Sequence, residues 1–193
     1  PLEVRLSLQI PLKVPLLICI GRLIPIQKGQ DFLIQAMVDI LKRYSEARLL
    51  IVGDGIIRHD LEELSKSLNL QNNVHFCGWR NDIYDLLNAS NICVVPSLWD
   101  PLPRIVLEAM MIGKPVVASN VDGIKEAVIH EETGLLVETK NSLALSNSIC
   151  RLLDNPEILH QMAVKGRTRA LDYFTSIQHA QKTLDIYKIC INE

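Results

Sequence analysis

The sequence contains no apolar run approaching the ~18 residues needed to cross a membrane. It also has no Cys-x-x-Cys pair and no stripe of basic residues. Its five cysteines, Cys19, Cys77, Cys93, Cys150 and Cys190, are dispersed and odd in number, which argues for a reducing, cytoplasmic compartment rather than a disulfide framework. Cys19 and Cys93 fall inside apolar runs, where a thiol behaves as a small buried hydrophobe. The five histidines are equally scattered, so no metal site is expected. A formal net charge of −2 gives no electrostatic reason to expect nucleic acid or an anionic membrane as partner. Residues 1–15 are apolar but interrupted by Glu3, Arg5, Lys13 and three prolines. They read as a linker into a strand, not as a signal or an anchor. The chain opens on Pro1 without methionine, and the expectation is that it is a piece of a longer protein.

What is present is ordinary for a well-buried globular domain: 193 residues, 48% hydrophobic and 22% charged. Short apolar runs at 16–20, 48–52, 74–77, 92–95, 115–118 and 135–137 read as strands. Segments of helical period at 30–44, 56–68, 81–89, 103–112 and 124–128 alternate with them. Only helices are expected after that, at 142–153, 156–172 and 176–191. Strand–helix alternation with continuous apolar strands predicts an α/β fold, a parallel sheet with helices on both faces. The division read from this pattern is a linker over 1–15, the sheet domain over 16–175 and a C-terminal helix over 176–193.

Ligands of such sheets sit at the carboxyl ends of the strands. Gly21-Arg22, Gly53-Asp54, Gly78 and Ser97 to Asp100 all follow strand ends and should share one rim. The stretch Pro96 to Met110 carries two carboxylates eight positions apart, Asp100 in a turn and Glu108 on the helix that Pro103 should open. Proline suits a first helical turn and leaves the amides of Arg104 and Ile105 free, which makes a ready phosphate site. Arg22 and Lys28 flank another turn into a helix and suit a diphosphate clamp, one a fork of donors and the other a mobile point charge. Carboxylates beside an anion site fit a ligand that is part phosphate and part polyhydroxyl, a nucleotide sugar. Gly53-Asp-Gly55 is not a dinucleotide fingerprint, because the third glycine position holds Arg58.

Asp100 to Met110 resembles the acidic-x7-acidic signature of family 4 (group 1) retaining glycosyltransferases. Gly21-Arg-Leu to Lys28-Gly29 is similar to the G-R-L…K-G loop of that family, and Val52-Gly-Asp-Gly55 to its V-G-x-G strand end. Phe76-Cys-Gly78 and Gly134-Leu-Leu-Val137 match its F-x-G and T-G-x-L-V motifs. The resemblance implies the C-terminal, Rossmann-like donor-binding domain of a two-domain GT-B enzyme that moves a sugar from a nucleoside diphosphate with retention and without a metal or other cofactor. It implies catalytic roles for Arg22, Lys28 and Asp100. Donor contacts are implied at Gly21, Gly53, Gly78, Trp79, Arg80, Leu102, Pro103, Arg104 and Ile105, with Glu108 on the ribose hydroxyls. The acceptor, a glycan or a lipid-linked molecule, would be held by an N-terminal domain, through which the protein would also attach peripherally to a membrane. Asp100 departs from the usual Glu by one methylene. A GT-B sugar-nucleotide epimerase and a non-catalytic nucleotide-sugar-binding module stay open as alternatives.

Overall fold

The computed structural model describes residues 2–192. Along the chain run α1 (Leu2–Ser7), β1 (Leu16–Ile20), α2 (Gln30–Arg43), β2 (Arg48–Val52), α3 (Arg58–Ser67), β3 (Val74–Gly78) and α4 (Ile83–Ala89). They continue with β4 (Ile92–Val95), α5 (Arg104–Met111), β5 (Val116–Ser119), α6 (Ile124–Ala127), β6 (Leu135–Val137), α7 (Ser142–Asp154), α8 (Pro156–Tyr173) and α9 (Ser176–Asn192). Among these residues the strands form one six-stranded sheet in the order β3-β2-β1-β4-β5-β6, parallel at every pairing.

Continuous apolar strands are what a sheet covered on both faces requires, and every residue of β4 and β5 is buried. Alternation within β1 divides the core. Leu17 and Cys19 point into one layer with Leu33, Met37 and Ile40 of α2. Leu16 and Ile18 point into the other with Leu86 of α4 and Val106 and Met110 of α5. Strand order turns between β1 and β4, and the connections after these strands leave the sheet on opposite faces. That divergence opens a crevice at the carboxyl end of the sheet.

The first fifteen residues differ from the expected plain linker, because Leu2–Ser7 is helical. A helix this short is not self-supporting; the contacts of Arg5 hold it. Arg5 is buried, and its Nε donates to Ala89 O at 2.8 Å. Nη1 donates to Pro11 O and Val14 O, both at 2.9 Å, and Nη2 to Asn91 Oδ1 at 2.9 Å. Arg5→Ala is expected to lower stability by about 2–3 kcal/mol, the scale of hydrogen bonds to a charged donor. Lysine should not restore it, since one ammonium cannot span carbonyls on several sides. Urea unfolding of the two variants checks this; a wild-type midpoint for Arg5→Lys would show that charge alone suffices.

At the other end, α9 leaves Ile177, Leu184, Tyr187 and Ile191 exposed. No helix among the described residues is long and apolar enough to cross a membrane.

Candidate functional site

A cleft of about 360 Å³ opens at the turning point of the sheet. Its floor comes from the ends of β1 and β2, with Ile20, Gly21 and Arg22 on one and Val52 and Gly53 on the other. Trp79 and Arg80 after β3, with Ile83 at the start of α4, form one end. Pro103, Arg104, Ile105 and Glu108 of the α5 turn form the opposite wall, and Lys28 closes the rim.

Pro103 is the N-cap of α5 rather than its first helical residue, with φ −68° and ψ 120° and no side-chain cap. The first α5 amide with a backbone partner is that of Val106, on Pro103 O at 3.0 Å. The amides of Arg104 and Ile105 therefore stay available at a helix N-terminus, where partial positive charge gathers. Glu108 lies one turn along, half-buried, its carboxylate without a hydrogen-bond or ion-pair partner among the described residues.

The Lys28 loop and the Asp100 loop form one unit. Leu98 N donates to Gln27 O at 2.7 Å, and Gly29 (φ 64°) lies so close to the other loop that a Cβ would stand 2.1 Å from Pro96 O. Only glycine fits there. This geometry brings Lys28 Nζ onto Asp100 Oδ2 as an ion pair between largely buried side chains. Ser97 Oγ approaches the same oxygen at 3.5 Å. Arg22, by contrast, is exposed, with its carbonyl held by Gln30 Nε2 at 3.2 Å. Neither Arg22 nor Arg104 has an ion-pair partner among the described residues.

Arg80 is already engaged: its Nε and Nη2 grip the two carboxylate oxygens of Asp82 at 2.8 and 2.6 Å. That fork raises the Arg80 pKa and lowers that of Asp82. Trp79 stands 75% exposed beside it, an unpartnered aromatic face on the cleft. Burial pushes the Cys19 thiol up to about 12, so this cysteine near the floor is no nucleophile.

Three of the residues read from the sequence do not line the cleft. Leu102 packs against the core layer of α5. Gly78 faces Arg58, with Nη1 3.3 Å from the place a Cβ would take, and its carbonyl receives Gly53 N at 2.8 Å. Asp100 is buried behind Lys28. The sequence reading passed over Ile20, Val52 and Ile83 as lining residues, although two of them immediately precede the glycines at strand ends.

A six-stranded parallel sheet covered by helices, with a cleft lined by cations at its turning point, has the architecture of a Rossmann-like α/β domain. Residues 3–169 match the family described as glycosyl transferases group 1, and the chain belongs to that family. It is 32% identical over 171 residues to an Escherichia coli UDP-Gal:alpha-D-GlcNAc-diphosphoundecaprenol alpha-1,3-galactosyltransferase, covering 87% of this chain and 44% of that one. Its fold superposes on Anabaena Alr3699/HepE in complex with UDP at a TM-score of 0.89 and 27% identity, covering 96% of this chain and 51% of that one. It also matches the C-terminal domain of a group 1 glycosyl transferase (LpcC) from Francisella tularensis, with TM-score 0.75, 24% identity and 85% and 89% coverage. The last match concerns the fold alone. The chain spans about half the length of the full-length relatives, and its architecture is that of one half of a GT-B glycosyltransferase.

Proposed function

We propose that this chain is the donor-binding part of a retaining glycosyltransferase that takes a sugar from a nucleoside diphosphate, with UDP as the first candidate nucleotide. The carrying observation is the convergence of Arg22, Lys28 and the free amides of Arg104 and Ile105 on one cleft that also presents Glu108. Cations and aligned amides would hold the diphosphate and stabilise it as leaving group. Preorganised charge of this kind is typically the largest catalytic term, with about 3–4 kcal/mol for one strong donor. A cationic clamp can carry that charge without a divalent metal. Glu108 would accept from ribose hydroxyls, Asp100 from sugar hydroxyls, and Trp79 would border the base. UDP is favoured because the Anabaena structure is a complex with UDP and the Escherichia coli relative is named for UDP-Gal. The latter's lipid diphosphate supports a lipid-linked or glycan acceptor held by residues beyond this chain.

Calorimetric titration with UDP, GDP and ADP tests the reading. UDP should bind, and binding should survive EDTA. Arg22→Ala and Lys28→Ala should each weaken it by about 1.5–3 kcal/mol, the scale of hydrogen bonds to charged groups, while uridine is unaffected. Diphosphate binding by both variants at wild-type strength would place the site elsewhere.

A further inference from the structure

Lys28 is not a free charge waiting for a phosphate. Its ammonium is paired with Asp100 Oδ2, the two side chains being 19% and 7% exposed. The pairing is built into the backbone, because the loops bearing the two residues are joined by the Leu98–Gln27 hydrogen bond and by the close approach of Gly29 to Pro96. What remains free is the set of side-chain torsions of Lys28, a flexible four-carbon stem. Of the four cations lining the cleft, Arg80 is held by Asp82 and Lys28 by Asp100, while Arg22 and Arg104 have no carboxylate on them among the described residues.

An incoming diphosphate must therefore share or take the Lys28 ammonium from a buried carboxylate. Taking it leaves Asp100 charged, shielded from water and beside a second anion, which is unfavourable unless new donors reach it. Ser97 Oγ, at 3.5 Å, is the one hydroxyl already near among the described residues. A free nucleoside diphosphate brings no donors to this position. An intact nucleotide sugar does, since its sugar hydroxyls continue from the β-phosphate and can donate to Asp100.

We propose that Asp100 competes with the diphosphate for Lys28, so that the site discriminates against the free nucleoside diphosphate product and in favour of the intact sugar donor. This rests on the donor-site reading above and assigns Asp100 a second, specificity-determining part in it. Product leaves readily because the Lys28–Asp100 pair re-forms behind it. The shorter side chain supports this: the buried carboxylate lies behind Lys28 rather than lining the cleft.

The test is calorimetry with UDP and with UDP-glucose on the wild-type chain and Asp100→Asn, with melting curves to confirm folding. Asparagine removes the competing charge and keeps the shape. Asp100→Asn is expected to bind UDP about tenfold more tightly, one screened charge interaction's worth, with no gain for UDP-glucose. Unchanged or weaker UDP binding by the folded variant overturns the proposal. Absence of UDP binding by the wild-type chain would instead overturn the donor reading itself, so the two failures are distinguishable. A measurement free of substitution is the crystal structure of the wild-type chain with UDP. Lys28 Nζ is expected on the β-phosphate and out of contact with Asp100; an intact Lys28–Asp100 pair with UDP bound overturns the competition.

Discussion

Residues 1–193, offered a radiolabelled nucleoside diphosphate sugar and any soluble acceptor, are expected to bind the donor and release no glycoside. The binding half of this expectation rests on the proposed clamp, since Arg22, Lys28, Arg104 and Ile105 all line one cleft within the chain. The catalytic half follows from what lies over the cleft. Trp79 is 75% exposed, Arg22 and Arg104 stand at the surface, and no part of the described chain covers the rim. A sugar held here faces water, which weakens every electrostatic contact on the leaving group, and no described element is placed to bring an acceptor hydroxyl to the reacting carbon. The relatives are about twice as long, and the proposed function places the acceptor on residues beyond this chain. Loss of positioning alone removes up to about 7–11 kcal/mol of barrier lowering, which takes turnover below detection. A labelled-donor assay comparing this chain with a full-length parent decides the matter, and transfer by residues 1–193 alone would sink the half-enzyme reading.

The sheet was legible because its strands are short, nearly continuous apolar runs, LLICI, RLLIV and ICVV among them, too short for helices and alternating with segments of helical period. Helix ends moved by one or two residues. Pro103, for example, caps α5 instead of opening it, because a ψ of 120° lies outside the helical range. α1 was not legible, since its stability comes from Arg5 bonds to Ala89 and Asn91, 84 and 86 positions away. No local pattern carries that information. The same holds in the site. The rim residues could be gathered from the rule that ligands lie beyond strand ends. The ion pair between Lys28 and Asp100 joins positions 72 apart, and the Arg80–Asp82 fork turns a candidate ligand cation into one already neutralised. Spacing alone reveals neither.

Gly53→Ala is expected to damage the fold and the site together. Gly53 ends β2 with φ 130°, a conformation that side chains rarely adopt. The crowding at this position comes from the protein's own backbone. A Cβ on Gly53 would stand 2.1 Å from Gly21 O and 2.9 Å from Gly21 C, and both atoms are backbone. Relief by a side-chain rotation is therefore not available. Nor can the strand ends drift apart freely: Gly21 N is bonded to Val52 O at 2.9 Å and Gly53 N to Gly78 O at 2.8 Å. The ends of β1, β2 and β3 must separate, costing about 2–5 kcal/mol as backbone strain and overpacking combine. Because Arg22 follows Gly21 directly, the same displacement moves the phosphate clamp, and a shift of about 1 Å can cost on the order of a hundredfold. Gly21→Ala is the comparison for stability. A Cβ there meets only Lys28 side-chain carbons at 3.6 Å or more, an ordinary contact, so its urea midpoint should stay near that of the wild type. Urea unfolding and UDP titration of Gly53→Ala should fall in parallel. A stable Gly53→Ala variant with wild-type UDP affinity would mean that the strand ends give way without strain and that the clamp does not depend on their packing.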